Sequence, residues 1–256
     1  MRSPASSNTF SPAIRPSSPA RYSTSTAATP PPDPPPVPDF LPTEQERHLQ
    51  ITHLGHACVL VDTGSARLLI DPGVMSDIDG VDGIDAVLLT HKHPDHVAPE
   101  KVRGVLASSP RAVLVAPDDM GDVLSGMPEH HSAEPGAALK FGDTVVDVVG
   151  GRHATVHDTI PSCANLGYLV DGGAFFHPGD SFHEPAVDVD VLAVAIDGPW
   201  LKIAESIDYV RRVSPRLAIP IHEGETLDPA KYVGMMSNAV GGDVVRRLDR
   251  GSATQL

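Results

Sequence analysis

The feature that most constrains this fold is a run of metal-binding residue types, residues 90–96, placed directly after an apolar segment at residues 86–89. The run holds three histidines and one aspartate, namely His91, His93, Asp95 and His96. In an extended chain alternate side chains face the same way, so the first two histidines can bind one metal ion together. Pro94 then fixes a turn and directs the last two residues toward a second position. One loop at the end of a buried strand can therefore supply ligands to two metal ions.

Three further residues of ligand type follow apolar segments elsewhere in the chain: His153, Asp180 and His222. The ends of strands are rigid mounts from which distant residues can converge on one point. His157 lies four residues after His153, and an extended chain places both side chains on one face, so the spacing admits either as a ligand. Imidazole and carboxylate groups suit zinc, iron or manganese better than calcium or magnesium.

The N-terminal region differs in composition from the rest. Residues 1–42 hold almost half of the 26 prolines and no periodic apolar pattern, which predicts a disordered Ser/Pro-rich extension. Its three arginines, with no acidic residue before Asp33, would also suit an organelle transit peptide, although we favour a misassigned start or a featureless tail. Residues 43–256 are then expected to form one folded domain.

The predicted domain is strongly acidic. It holds 16 basic and 31 acidic residues, a net charge of −15. A nucleic-acid surface needs a basic patch, and none is visible in the sequence, so we expect a small-molecule substrate rather than a nucleic acid. The sequence shows no apolar run long enough for a membrane span. Cys58 and Cys163 lie in apolar contexts and are expected to be buried free thiols, which suits a cytoplasmic location.

Short β-branched segments alternate with turns along the domain, and helical periodicity enters late. Strands are predicted at residues 50–52, 57–62, 67–70, 86–89, 112–116, 144–149, 166–170, 174–176, 191–195 and 217–220. Helices are predicted at residues 99–107, 201–213 and 228–238. The opening strands are close enough for hairpins, so the first sheet should begin antiparallel. Strands in both halves with helices between them predict an α/β fold of two sheets with helices outside.

The order of ligand-type residues resembles that of the metallo-β-lactamase superfamily. The resemblance covers residues 49–224, and the segments at residues 52–57 and 69–72 are similar to the branch of ascorbate-6-phosphate lactonase-like hydrolases. It implies a four-layer αββα sandwich with mixed sheets, helices outside and a dinuclear centre at the edge of the sheets.

The resemblance also implies the roles of the ligands. His91, His93 and His153 would hold one divalent ion, most simply zinc, with manganese or iron as alternatives. Asp95, His96 and His222 would hold a second ion, and Asp180 would bridge the two. His153 rather than His157 is favoured because it comes first after the glycine turn. The implied activity is hydrolysis of a small ester, lactone or phosphodiester by a metal-bridged hydroxide, with Asp95 as the catalytic carboxylate.

At two positions the sequence differs from particular branches of the superfamily, which makes the activities of those branches less favoured. Asp180 stands where antibiotic-hydrolysing members often carry cysteine, and His93 stands where flavodiiron oxidoreductases carry glutamate. A mononuclear iron oxygenase on the same fold and a non-catalytic metal-binding protein are the alternatives to a hydrolase.

Further residues are candidates for the surroundings of the metals or for the substrate: His56, Asp71, His157, Trp200 and Lys202. His56 would line the site or support the first hairpin. Asp71 would accept a hydrogen bond from a ligating imidazole or simply shape a turn. Trp200 would form a pocket wall or pack internally, and Lys202 would bind an anionic group or pair with Glu205 along a helix.

Overall fold

The computed structural model describes residues 48–256, so the predicted disordered extension at residues 1–42 lies outside the described part of the chain. Within that part, the strands of the first sheet are β1 Gln50–Gly55, β2 Cys58–Asp62, β3 Arg67–Ile70, β4 Ala86–Leu88, β5 Val113–Ala116, β6 His131–Ser132 and β13 Ala253–Gln255. Those of the second sheet are β7 Ala138–Phe141, β8 Thr144–Gly150, β9 Leu166–Val170, β10 Phe175–His177, β11 Val191–Ala195 and β12 Leu217–Ile221. The α-helices are α1 Pro99–Ser108, α2 Ile203–Val213 and α3 Pro229–Val240.

Both sheets are mixed, as predicted. The first has the strand order β13-β1-β2-β3-β4-β5-β6; it is antiparallel from β13 to β3 and parallel from β3 to β6. The second has the order β12-β11-β10-β9-β8-β7, with β10 to β12 parallel and the remaining pairs antiparallel. The opening hairpins therefore form as the short turns require.

Alternating side chains build the layers. In β2, Val59 and Val61 face the other sheet, whereas Cys58 and Leu60 face outward and join the cluster that packs under α1. Helices α2 and α3 cover the outer face of the second sheet, where Tyr209 contributes to their shared cluster. Residues 48–256 thus form an αββα sandwich, which confirms the predicted fold class. Cys58 and Cys163 are both free and buried.

In the described part of the chain the α-helices all pack against sheets, and the longest, α3, has 12 residues. No helix among residues 48–256 has the length and apolar character needed to cross a bilayer.

Three edge strands were not predicted from the sequence. β6 consists of two residues in a segment that the Gly/Pro-rich composition marks as a loop, and its pairing with β5 comes from the tertiary structure. β7 and β13 are short, partly exposed strands: in β7 only Leu139 and Phe141 pack on the core, and β13 shows little apolar patterning. Helix α2 begins at Ile203, two residues later than predicted, because Lys202 has an extended backbone.

Candidate metal centre

Ligand-type residues gather at one edge of the sandwich because each follows the carboxyl end of a strand. The loop after β4 carries the four residues of the opening motif, and the other positions follow β8, β10 and β12. The structure brings all seven predicted ligands together: His91, His93, Asp95, His96, His153, Asp180 and His222. Asp95 is partly exposed and His93 half-buried, whereas the other five are buried.

The candidate ligands form two adjoining groups, in each of which the ligand atoms lie within 4.8 Å of one another. The first contains His91, His93, His153 and Asp180; the second contains His56, Asp95, His96 and His222. Asp180 also reaches the second group, because its Oδ1 lies 3.1 Å from His96 Nε2 and its Oδ2 lies 3.1 Å from His222 Nε2. Its Oδ2 is 3.4 Å from His153 Nε2. One buried carboxylate therefore faces both groups.

Hydrogen bonds fix the orientation of three imidazoles. His96 Nδ1 donates to Asp71 Oδ2 at 2.7 Å, and His153 Nδ1 donates to the carbonyl of Ala154 at 2.6 Å. His91 Nδ1 lies 2.9 Å from Thr90 Oγ1, whose own hydrogen is given to Asp71 Oδ2 at 2.6 Å. In a neutral ring with the proton on Nδ1, Nε2 keeps its lone pair. These three Nε2 atoms are thus prepared to bind a cation.

Buried polar atoms without hydrogen-bond partners support a cation site. Among residues 48–256 these atoms include Nε2 of His96, His153 and His222 and Oδ1 of Asp180. Proteins rarely leave such atoms unsatisfied unless an ion, water or ligand completes them. Nitrogen and carboxylate oxygen are the donors that zinc, manganese and iron accept, so the residues fit a pair of divalent ions.

Burial and contacts between carboxylates and imidazoles shift the pKa values of residues in the centre. Burial alone would raise the pKa of Asp180, but His96, His153 and His222 outweigh it and hold that pKa well below its usual range. Burial lowers the pKa of His222, yet its contacts with Asp180 and Asp95 raise it to about 9. Burial holds the pKa of His91 well below its usual value. The carboxylates therefore stabilise positive charge at this edge.

Asp71 supports the ligand loop from behind. It is fully buried, and its carboxylate accepts hydrogen bonds from Thr90 N at 2.8 Å, Thr90 Oγ1 and His96 Nδ1. Its φ of 51° is a left-handed conformation that non-glycine residues seldom adopt. Asp71 is thus both a turn residue and the acceptor for a candidate ligand, which are the two roles considered from the sequence.

The structure separates His157 from the centre. The segment between β8 and β9 is a loop, so the prediction that an extended chain places His157 and His153 on one face is wrong. His157 is exposed, and its Nδ1 lies 2.8 Å from Thr159 Oγ1.

Lys202 is exposed and does not form the helical ion pair with Glu205 that was considered from the sequence. Instead, Glu205 Oε2 caps the helix by accepting a hydrogen bond from the backbone N–H of Lys202 at 2.6 Å.

Trp200 forms one wall of a cavity of about 130 Å³ over the candidate metals. The ring is 7% exposed, and its centroid lies 5.8 Å from that of His153 and 6.1 Å from that of His222. A smaller cavity of about 70 Å³ adjoins it and shares His93, His153 and Val156. Trp200 therefore occupies the wall position considered from the sequence.

Two residues of the site were missed by sequence reasoning. Asn165 Oδ1 accepts the backbone N–H of Asp180 at 2.9 Å, and its Nδ2 donates to the carbonyl of Pro178 at 2.8 Å. Tyr168 donates its hydroxyl to the carbonyl of Leu89 at 2.7 Å, directly before the ligand loop. The sequence did carry a signal for both residues, because Asn165 stands at the start and Tyr168 in the middle of an otherwise apolar segment.

Comparison with known proteins identifies the family. The model of the beta-lactamase superfamily domain matches residues 50–222, so the chain belongs to this family. Protein Rv0786c of Mycobacterium tuberculosis is 38% identical over 196 residues, which are 74% of this chain and 92% of that protein. A UPF0173 metal-dependent hydrolase of Pyrococcus furiosus is 27% identical over 196 residues, covering 68% of this chain and 84% of that protein.

A solved structure agrees on the fold. Igni18, a metallo hydrolase from Ignicoccus hospitalis, superimposes with a TM-score of 0.66 at 19% identity, covering 82% of this chain and 98% of that one. With its family, fold and two His/Asp groups, the chain is a metal-dependent hydrolase. The narrower resemblance to ascorbate-6-phosphate lactonase-like enzymes stays a prediction.

Proposed function

We propose that the protein hydrolyses a small, uncharged ester or lactone at a centre of two divalent ions, most simply zinc. The observation that carries the proposal is Asp180, because its single buried carboxylate faces both groups of imidazoles. His91, His93 and His153 would hold the first ion, and Asp95, His96 and His222 the second. When bound, such ions lower the pKa of a shared water toward neutrality and polarise the scissile carbonyl.

Asp95 is the residue best placed to orient the attacking water. Its side chain is 20% exposed and lines the larger cavity, while Oδ2 lies 3.3 Å from His222 Nε2. Burial raises the pKa of Asp95, but hydrogen bonds with His222 and His56 outweigh it and hold that pKa below its usual range. Asp95 therefore stays a carboxylate, which can accept a hydrogen bond from the attacking water and orient it.

The lining of the cavities supports an uncharged substrate with a short apolar group. The cavity of about 70 Å³ is bounded by Val156, Ile160, Pro161 and Cys163 beside two candidate ligands. This volume is about half that of an engineered apolar cavity known to bind benzene, so it suits a group of a few carbon atoms. The charge of −15 on residues 43–256 disfavours anions, which ranks esters and lactones above phosphodiesters.

Metal analysis combined with a hydrolase screen tests the proposal. The purified protein should bind two zinc or manganese ions per chain and hydrolyse a member of a panel of short-chain esters and lactones. The variant Asp180→Ala should lose metal and reduce hydrolysis by more than about 100-fold, the upper loss for residues outside the ligand shell. His131→Ala, an exposed histidine on β6, is the matched control and should behave as wild type.

Two results would contradict this function. Hydrolysis that survives complete removal of metal by a chelator would reject the mechanism. A single oxidisable iron per chain, with oxygen uptake, would replace the hydrolase by the iron oxygenase considered from the sequence.

A further inference from the structure

His56 lies in the second group at a distance that admits it as a metal ligand. Its hydrogen bonds indicate otherwise. We infer that His56 is a positioning residue, whose Nε2–H donates to Asp95 Oδ2 and fixes that carboxylate for the second ion. The inference rests on the proposed function, because it takes Asp95 to be a ligand of that ion.

The tautomer of His56 follows from its contact with Gly224. The backbone N–H of Gly224 donates to His56 Nδ1 at 3.0 Å. A backbone N–H has no lone pair to offer, so Nδ1 must be unprotonated. The neutral ring then carries its proton on Nε2, which lies 3.0 Å from Asp95 Oδ2. That nitrogen donates a hydrogen bond and has no lone pair for a metal.

The contrast with the neighbouring histidines is direct. His91, His96 and His153 each give the Nδ1 hydrogen to an oxygen. Within the described residues, Nε2 of His96 and His153 then has no hydrogen-bond partner, and Nε2 of His91 faces only His93 Nδ1 of the same group at 3.0 Å. His56 instead receives a hydrogen at Nδ1, and its Nε2 is not among the buried atoms without a partner. His56 therefore has the opposite proton arrangement to that of these three candidate ligands.

The backbone holds the His56 ring in place. The residue is 1% exposed and has a φ of 53°. Its carbonyl accepts hydrogen bonds from the backbone N–H of His222 at 2.9 Å and from His53 Nε2 at 2.9 Å. These contacts fix the direction of the Nε2–H bond, as an orienting donor requires.

Gly224 is required for close approach rather than for backbone freedom. A Cβ at this position would lie 2.9 Å from His56 Nδ1 and 2.7 Å from Met75 Sδ, closer than side chains pack. Any larger residue must therefore displace the His56 ring. Because Gly224 touches His56 from the side opposite Asp95, its substitution provides a test that leaves the ligands themselves unchanged.

The first experiment compares His56→Gln with His56→Asn. The amide nitrogen of glutamine takes the place of Nε2 and restores a donor to Asp95, whereas the amide oxygen of asparagine can only replace Nδ1 as the acceptor for Gly224. In a zinc titration monitored by calorimetry, His56→Gln should bind the second ion nearly as wild type. His56→Asn should weaken it by about 10- to 100-fold while the first ion is unaffected.

The second experiment uses Gly224→Ala, with Gly234→Ala as its control. Gly234 lies within α3 and a Cβ there would meet nothing within 4 Å, so its variant should bind both ions as wild type does. Gly224→Ala should reproduce the selective loss of the second ion. Thermal unfolding of each variant with one ion bound confirms that the fold is retained.

The outcomes separate this inference from the proposed function. If wild type binds two ions and His56→Asn binds both as tightly, His56 does not position Asp95. If His56→Gln weakens binding of the second ion as much as His56→Asn does, and its second site, filled at high cobalt concentration, gives a visible spectrum with one ligand fewer than wild type, His56 is itself a ligand. A wild-type protein that binds fewer than two ions would instead reject the dinuclear centre, and this inference with it.

Discussion

Asp71 shows how much a single buried carboxylate contributes to the ligand loop. Three donors converge on it, two from Thr90 and one from His96, and the residue is fully buried. Replacing one partner of such a set leaves the others unsatisfied, which costs about 1–3 kcal/mol for each neutral group. The loop that carries four candidate ligands is therefore tied to the sheet through one side chain.

The substitution Asp71→Asn should destabilise the protein and weaken metal binding. The amide nitrogen replaces one of the two oxygens that accept these three hydrogen bonds, so at least one donor faces another donor, and we expect a loss of about 1–3 kcal/mol in the free energy of unfolding. Zinc affinity should fall by about 10- to 100-fold, because His96 Nδ1 then faces either an amide donor or a neutral, weaker acceptor in place of a carboxylate. Urea unfolding and zinc titration measure the two effects. The exposed residue Asp79 gives the control Asp79→Asn, which should change neither, and equal behaviour of the two variants would exclude this role for Asp71.

His177 gives a prediction for pH dependence. Its Nε2 donates to the carbonyl of Ala57 at 2.9 Å and its Nδ1 accepts from Gly179 N at 3.1 Å, so the buried ring is neutral. Burial lowers its pKa below 6.5. The unfolded chain therefore binds the proton more readily, and the stabilising effect of the neutral ring, present above pH 6.5, is lost as the pH falls below it.

Comparison with His177→Gln, which cannot titrate, measures this effect. The melting temperature of wild type should fall more steeply than that of the variant between pH 7 and pH 5, so that the difference between them narrows. Parallel curves would show that His177 does not take up a proton on unfolding.

At the scale of elements, two tight turns pack against each other beneath the centre. A Cβ on Gly73, in the turn after β3, would lie 1.7 Å from the backbone oxygen of Asp95. That distance is impossible for packed atoms, so the turn and the ligand loop touch through the glycine. Gly73 has no left-handed φ, and the requirement is one of space alone.

The pair Gly73→Ala and Gly104→Ala tests this contact. Gly73→Ala should displace the loop carrying Asp95 and His96, reducing both zinc binding and stability. Gly104→Ala, on an exposed face of α1 where a Cβ meets nothing within 4 Å, should stabilise the protein by about 0.5–1 kcal/mol. Thermal unfolding with and without zinc distinguishes them. Normal zinc binding by Gly73→Ala would show that the loop can move aside.

The elements that sequence predicts well are those whose pattern is local. Val191–Ala195 and Leu217–Ile221 lie in continuous apolar runs, and both are buried parallel strands. His131–Ser132 and Ala253–Gln255 became strands only by pairing with distant neighbours. The spacing of His91 and His93 likewise predicted a shared position. The proton arrangement of His56 could not be predicted, because it depends on a residue 168 positions away.

At the scale of the whole molecule, the two sheets are joined by hydrogen bonds near the edge that carries the ligands. Tyr168 donates to the carbonyl of Leu89, Leu166 N donates to the carbonyl of Thr90 at 2.8 Å, and His177 donates to that of Ala57. The opening motif lies on the first sheet, whereas His153, Asp180 and His222 lie on the second. Bound ions would thus connect the sheets as well as hold substrate.

Removal of metal should therefore destabilise the entire domain. A ligand that binds only the folded state stabilises it by about 2.7 kcal/mol at a free concentration 100 times its dissociation constant. We expect a chelator to lower the melting temperature of wild type by several degrees, because each kcal/mol of lost stability lowers the melting temperature of a domain of this size by about 2 °C or more. Asp180→Ala should melt at the same temperature with and without chelator. A wild-type melting temperature independent of zinc would contradict the connection between the sheets.

Because the candidate ligands come from both sheets, their distances to a bound ion depend on the separation of the two sheets. Metal sites tolerate errors of about 0.2 Å in ligand distance, far less than a sandwich can shift without changing its secondary structure. A preparation that looks fully folded by circular dichroism can therefore have lost its metals and its turnover. Inactivating substitutions should accordingly be found throughout the interior face of both sheets, at positions such as Tyr168 that never meet the substrate.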